Sequence, residues 1–508
     1  AFQVQTSCSS LGTAAMRLIT FWVLAPLALA EGWFQHNCFE LLKEPLSDAP
    51  FTKAEIHRLL QHFSQNFDVN RTGAIIASPG ATPALGPTLP GGYRYHWIRD
   101  GALSMSAFLH AADLYALPAS EMEITFLQYV DWVELLHERG SSTIDEPKWN
   151  IQKAEPYALG WCRPQTDGPP LRARSLMQAG RLWRKYAGKL WDLAKKDLDW
   201  LIAKQKDGTR NLNKVTCDLW EETTSNDFFW NKAVMEAALL EGIQHSQEVG
   251  DATRAQAYLD ALQEDVGDVT QRHQIWSFFF TGKYLTECPT TGAGASCKKY
   301  RKEIDGAVIL GLVHGRTMIP TNASHSSVPL PTDLRVAETV KEYNKEFCSL
   351  YAVNRAESQG KNQLPGVLYG RYAADGYGAK DGGNPWVLIT AALANLLYQA
   401  AETSSATPLT HQELAAWKAA LNGGSGFNGS PRDFLAAGDS VLMRLRNHIS
   451  EEDDLHLFEQ IDRSSGRQYN AKDLTWSYAE VLNALVTRHS AAAKVAAASG
   501  APVDVVVL

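Results

Sequence analysis

Hydrophobic residues along this chain recur mainly at the 3.6-residue period of an amphipathic helix, and runs that alternate in the two-residue period of a strand are few. The pattern predicts a mostly α protein. Two kinds of helical segment separate. Thr52 to Phe67, Ser120 to Glu138, Arg184 to Lys206 and Pro431 to His448 keep their charges on one face, as a helix with one side in water does. The segments "GALSMSAFLHAADLY", "LRARSLMQAG", "FFWNKAVMEAALLEGI", "GAVILGLVHG", "PWVLITAALANLLYQAA" and "LTWSYAEVLNALV" are rich in Ala, Gly and Leu and are predicted to be covered on several sides. Each of these follows a loop dense in aromatic, acidic, Gly or Pro residues, centred near Asp100, Gly168, Glu221, Asp305, Asn384 and Asp473. The intervals are too irregular for a solenoid. Inner helices alternating with outer ones predict a closed double ring in which the inner helices run parallel and the distinctive loops meet at one end. A generic helical bundle satisfies the same periodicity. Thr52 with Glu55 has capping-box spacing, and Asn384 with Pro385 predicts a cap followed by a first-turn proline.

Composition adds the setting. The chain has 508 residues, 45% of them apolar, and a formal charge of −8, which offers no basic surface for a phosphate backbone, so nucleic acid is not an expected partner. Met16 and Arg17 precede the apolar run "LITFWVLAPLALA" and the small-x-small sequence Ala28, Leu29, Ala30. That is the pattern of a secretory leader, too short to span a bilayer, so no membrane partner is expected. The expected organisation is an upstream or alternative-start segment at 1–15, a signal peptide at 16–30, one domain over 31–498 and a low-complexity tail at 499–508. A monomer is expected, outside the cell or in a vacuole. Beyond the leader stand Cys38, Cys162, Cys217, Cys288, Cys297 and Cys348, an even number that permits three disulfides, with Cys288 and Cys297 the expected pair across "PTTGAGAS". Sequons occur at Asn70, Asn322 and Asn428. No Cys or His spacing resembles a zinc site, no P-loop is present, and no cofactor or metal is expected.

The candidate chemistry lies in the loops. "CDLWEETTSNDFF" sets Asp218, Glu221 and Glu222 around Trp220 just where an apolar helix is predicted to begin. A charged first turn is the plainest account of such acids. "YRYHWIRD", "WCRPQTDGPPLR" and "LYGRYAADGYG" add aromatic faces with Arg99, Asp100, Arg371, Asp375 and Tyr377. Rings beside bidentate polar groups suit pyranoses, which have apolar faces and a rim of hydroxyls.

These motifs resemble glycoside hydrolase family 15, the glucoamylases. "YHWIRDGAL", "RPQTDGPPLRA", "DLWEE", "GNPW" and "LTWSYA" occur in the family's order from about Ala74 to Leu482. The resemblance implies an (α/α)6 barrel that releases glucose from the non-reducing ends of starch, glycogen and maltooligosaccharides. It is an inverting reaction that yields β-D-glucose and acts more slowly on α-1,6 links. It implies Glu221 as general acid and Glu459, in "FEQIDRSSG", as general base, although a solvated acid in a charged run is the ordinary reading of Glu459. An indole and a neighbouring anion beside Glu221 are expected to keep its proton on. By the same resemblance Arg99, Asp100 and Arg371 hold the terminal glucose. Tyr93, Trp97, Trp161, Leu219, Trp220, Glu222, Asp375 and Trp386 complete the substrate pocket, with Asp218 and Asn470 in support. Phe458 and Asn470 depart from the family pattern, the segment Tyr377 to Asn384 is longer than its spacing, and no starch-binding module is apparent. A related inverting glucosidase such as a trehalase or an isomalto-type enzyme, and a non-catalytic carbohydrate-binding protein on the same fold, remain the alternatives.

Overall fold

The computed structural model describes residues 37–80, 92–266, 275–289, 304–317, 328–357 and 363–498. Its helices are α1 (Lys53–Ser64), α2 (Ile98–Leu114), α3 (Ala119–Glu138), α4 (Gly168–Leu182), α5 (Ala187–Ile202), α6 (Phe229–Glu248) and α7 (Ala252–Val266), followed by α8 (Ile275–Phe279), α9 (Ala307–His314), α10 (Leu334–Leu350), α11 (Ala352–Glu357), α12 (Val387–Ala406), α13 (His411–Ala420), α14 (Pro431–Asn447) and α15 (Thr475–Ala498). Three small antiparallel sheets sit in the loops. They are β1 (His96–Trp97) with β2 (Lys148–Asn150) and β3 (Glu155–Pro156); β4 (Thr216–Cys217) with β5 (Thr224–Ser225); and β6 (Phe458–Ile461) with β7 (Gln468–Lys472).

The inner helices close a ring: α2 packs on α4, α4 on α6, α6 on α9, α9 on α12, α12 on α15, and α15 back on α2. Helices α1, α3, α5, α7, α10 and α14 are the intervening outer partners in sequence, and the architecture is the expected (α/α)6 barrel. The segregation follows from composition. In α12 every residue from Val387 to Tyr398 is buried, whereas α14 and α10 keep a polar face. Small residues let inner helices approach. A Cβ on Gly311 of α9 would lie 2.8 Å from the Phe229 ring of α6. The capping box predicted at Thr52 and Glu55 forms, and Ser430 with Asp433 makes another ahead of Pro431.

Two sequence expectations need correction. Asn384 does not cap α12: the N-cap is Trp386, because Pro385 and Trp386 are drawn into extended pairing, with Trp386 N–H donating to Tyr369 O at 2.7 Å and Ile461 N–H to Pro385 O at 2.9 Å. The acids of "DLWEE" are not the first turn of a helix. They form the turn of the β4–β5 hairpin, paired Thr216 to Ser225, and α6 starts later, at Phe229. The stretch after Ser490 continues as the end of α15 to Ala498.

Disulfides join Cys38 to Cys348 and Cys162 to Cys217. Cys288 is also disulfide-bonded, and Cys297 lies outside the described residues, as do the leader, Asn322 and the segment 499–508. Asn70 and Asn428 are exposed. Among the described residues no helix is long and apolar enough to cross a membrane.

Candidate active site

Each inner helix starts directly after one of the distinctive loops, so the N-termini of α2, α4, α6, α9, α12 and α15 gather those loops at one end of the barrel. The partial positive charge of helix N-termini favours carboxylates placed there. At that end lies a cavity of about 390 Å³ whose wall includes Tyr93, Trp97, Arg99, Asp100, Trp161 and Leu219. Trp220, Glu221, Glu222, Arg371, Trp386 and Glu459 stand on the same wall, and of the predicted residues Asp375, Asp218 and Asn470 are not part of it.

Glu221 is presented by a turn that Asp218 organises. The Asp218 carboxylate accepts the backbone N–H of Trp220 at 2.8 Å and those of Glu222 and Thr223 at 2.7 Å. The cost is visible at Glu221 itself, which holds a φ of 64° in the left-handed region. Asp218 thus supports the site through the backbone. Glu221 Oε1 accepts three hydrogen bonds, from Trp97 Nε1 at 2.9 Å, Gln165 Nε2 at 2.8 Å and Arg99 Nη2 at 3.2 Å. Among the described residues Oε2 makes none. The indole against the acid is therefore that of Trp97. Trp220, the sequence neighbour, turns its Nε1–H to Asp305 at 2.7 Å instead.

Glu459 stands on β6, buried to 2% exposure, so it is not the solvated acid of a charge run. Burial pushes its carboxyl up to about 7, and donors from Tyr377, Asn470 and Tyr93 together with the Arg371 charge work against that rise. Asn470 Nδ2 donates to Glu459 Oε2 and to Tyr377 Oη, the latter at 2.7 Å, and the Tyr377 and Tyr93 hydroxyls pair at 2.9 Å. The Asn470 backbone has a φ of 67°, a conformation asparagine tolerates better than most residues.

Arg371 anchors the opposite wall. It chelates Asp375 through Nε at 2.8 Å and through Nη2, and Nη2 also reaches Glu222 Oε1 at 3.0 Å. Its guanidinium lies 5.4 Å from the Trp386 ring centroid and 5.5 Å from that of Trp220. Asp375 was expected to touch substrate, and here the geometry differs. It has no exposed surface, both carboxylate oxygens serve Arg371, and Oδ1 also takes the Tyr377 N–H at 2.8 Å. Asp375 orients Arg371 from behind the cavity wall. Burial raises the Glu222 carboxyl, with Arg371 and the Tyr372 hydroxyl opposing.

The sequence reading missed several participants. Lys148 is fully buried with Nζ 3.7 Å from the Trp161 ring centroid, 4.0 Å from Tyr157, 4.4 Å from Trp97 and 4.6 Å from Tyr95. Burial pulls this amine down to about 7, and the Glu221 charge counteracts. Nothing around "EPKWN" signals it, because the rings of the cage come from two other segments, Tyr95 with Trp97 and Tyr157 with Trp161. Gln165 and Asp167 brace Arg99 at 2.9 and 3.0 Å and sit inside the quoted "RPQTDGPP" motif, so their neighbourhood was legible though their roles were not. Trp476 of "LTWSYA" closes the floor, with the Arg99 guanidinium 5.5 Å from its ring.

Around this cavity the buried Trp161 Nε1 and Trp386 Nε1 have no hydrogen-bond partner among the described residues, and neither do Asp100 Oδ2 and Arg99 Nε, which face each other as an ion pair at 3.6 Å. Native interiors rarely leave such groups unmet. A convergent set of donors and an acceptor between aromatic faces calls for a ligand with many hydroxyls. Burial pushes the Asp100 carboxyl up to about 7 against the pull of Arg99.

Comparison with known proteins agrees with this geometry. Residues 56–486 match the family model for glycosyl hydrolases family 15. Glucoamylase-1 of Schizophyllum commune is 29% identical over 450 residues, spanning 83% of this chain and 69% of that one. The intracellular sporulation-specific glucoamylase of Saccharomyces cerevisiae is 27% identical, spanning 82% and 78%. The solved family 15 glucoamylase of Hypocrea jecorina superposes with a TM-score of 0.68 at 25% identity, covering 86% of this chain and 72% of that one. The Saccharomycopsis fibuligera glucoamylase superposes equally well, TM-score 0.68, at 21% identity, covering 89% and 99%, which bears on the fold. With a family match over most of its length and the aromatic, two-carboxylate cavity at the N-terminal end of the inner ring, the chain belongs to glycosyl hydrolases family 15.

Proposed function

We propose that the protein hydrolyses terminal α-1,4-linked glucose from the non-reducing ends of starch, glycogen and maltooligosaccharides, with inversion, as a glucan 1,4-α-glucosidase. Its family membership and glucoamylase relatives support the activity. The observation that carries the assignment of roles is that Glu221 and Glu459 line one cavity with opposite hydrogen-bonding: one oxygen of Glu221 is saturated and the other free, while Glu459 is buried among donors.

In this reading Glu221 Oε2 gives its proton to the glycosidic oxygen as the C1–O bond breaks. Glu459 takes a proton from a water on the other face of the sugar, and that water's oxygen bonds to C1, giving β-D-glucose. The two carboxyls of such a pair stand roughly 6.5–9.5 Å apart to admit the water. Arg371, Glu222, Asp100 and Arg99 hold the hydroxyls of the terminal residue, and Trp97, Trp161, Trp220 and Trp386 cover its apolar surfaces. The Asn470 donor keeps Glu459 available as a carboxylate. The catalytic domain would span 31–498, work as a monomer, and act outside the cell or in a vacuole once a leader at 16–30 is removed.

Maltoheptaose, isomaltose and trehalose offered in parallel to the purified protein test this. Glucose as the first product from maltoheptaose, slower release from isomaltose and none from trehalose is the expected result. Turnover of trehalose alone would move the enzyme to another specificity, and no turnover of any would leave a binding protein.

A further inference from the structure

A second cavity, of about 460 Å³, occupies the other end of the barrel bore. It shares no lining residue with the catalytic cavity: along α12 the catalytic wall uses Trp386 and Leu388, whereas the second uses Asn395, Gln399, Glu402 and Thr403. Helices α2, α4, α9, α12 and α15 all contribute to it.

Its polar groups divide into committed and uncommitted. Arg174 is spoken for: it pairs with Glu241 at 3.0 Å and donates to the carbonyls of His314 and Arg316, tying down the end of α9. Glu402 accepts from Ser490 and from Lys494 at 3.0 Å. His314 pairs with Glu480 at 2.7 Å. Arg316, by contrast, is half-buried, and its guanidinium makes no hydrogen bond or ion pair among the described residues; burial pulls its pKa down, with the charge of Glu402 opposing. Gln399 Oε1 is buried without a partner, although its Nε2 reaches Asn395 Oδ1 at 3.3 Å. Asn395 and Asn483 line the same space, and their side-chain amides donate to nothing among the described residues.

A desolvated guanidinium whose opposing charge, Glu402, is already engaged by Ser490 and Lys494 is costly, and its planar fork matches a carboxylate or phosphate. An anion without hydroxyls would leave Gln399 Oε1 unmet, since that atom needs a donor. A neutral polyol would leave Arg316 with only the shared charge of Glu402. Among the described residues no Phe, Tyr or Trp lines the cavity, in contrast to the catalytic one. We infer that this cavity binds a small polyhydroxylated anion, a sugar acid or a sugar phosphate, with its charged group on Arg316 and its hydroxyls on Asn395, Gln399 and Asn483.

Isothermal titration of the full-length protein with gluconate, glucose 6-phosphate, inorganic phosphate and sorbitol tests the assignment, repeated with Arg316→Gln and Gln399→Leu. Both variants should keep wild-type circular dichroism and wild-type turnover of maltoheptaose, because neither residue touches the catalytic cavity. The expected result is binding of gluconate or glucose 6-phosphate that weakens at least about tenfold in each variant, as loss of a charge-assisted or buried hydrogen bond implies. Binding of only one of the two identifies the charged group as carboxylate or phosphate. Affinity unchanged in Arg316→Gln, sorbitol or inorganic phosphate binding as tightly as the hydroxylated anions, or no binding of either anion would each overturn it.

Discussion

Asn470 and Lys148 show how single side chains tune this site. Asn470 donates to Glu459, and a donor to the charged form lowers a carboxyl pKa. Removing it in Asn470→Ala raises the Glu459 pKa further above the ordinary carboxylate range, where burial has already placed it at about 7. A general base must be deprotonated to act, so the acid limb of the kcat/KM profile should move to higher pH in the variant. A pH–rate profile checks this, and a limb that stays in place would remove Asn470 from the role. Lys148 sits in its aromatic cage with its amine pulled down to about 7, against 10.5 for the free side chain. Between those values the unfolded chain holds more protons than the folded one, so stability rises with pH across that window. Below about pH 7 the burial penalty is fully present. Lys148→Met should therefore stabilise the protein by on the order of 2 kcal/mol near pH 6, after allowing for the lost cation–π contacts, and by much less near pH 10. Thermal denaturation at the two pH values measures the difference; a stabilisation equal at both would contradict it.

Among the elements, the β4–β5 hairpin carries the acid and the Trp161 loop carries the rim, and the Cys162–Cys217 bridge holds them together across a separation of 55 residues. Closing a loop of that length is worth about 4 kcal/mol in the chain-entropy model. The double variant Cys162→Ser/Cys217→Ser should lose stability of that order and show a raised KM, since Trp161 would no longer be fixed over the cavity; chemical denaturation and steady-state kinetics read both. The elements also show what the sequence could convey. Inner and outer helices were legible because burial on all sides excludes charge, as in α12, and one-sided burial confines it, as in α14. The hairpin was not. Its strands are two residues each, too short for an alternation to register, so the acids of "DLWEE" looked like the first turn of α6. The start of α12 was misplaced for a related reason: a Pro after an Asn is a helix-cap signal only when tertiary pairing does not claim the same residues, and Tyr369 and Ile461 claim them.

For the molecule as a whole, the closed ring brings five of the six distinctive loops onto one cavity wall, and this is why motifs scattered from Tyr93 to Trp476 were recognisable in order yet individually uninformative. The predicted substrate-binding residues line the cavity wall except Asp375, which sits behind Arg371. Lys148 escaped notice because its environment is made entirely by long-range packing. The central claim is a division of labour between Glu221 and Glu459 on opposite sides of a bound glucose. Following the anomeric protons by NMR from the first minute of maltoheptaose hydrolysis, in the native protein and in Glu221→Gln, tests it most directly. The account predicts early β-glucose and a loss of roughly 10²–10⁴-fold in kcat in the variant with its fold intact. Early α-glucose, or a variant that turns over as fast as the native enzyme, would contradict it.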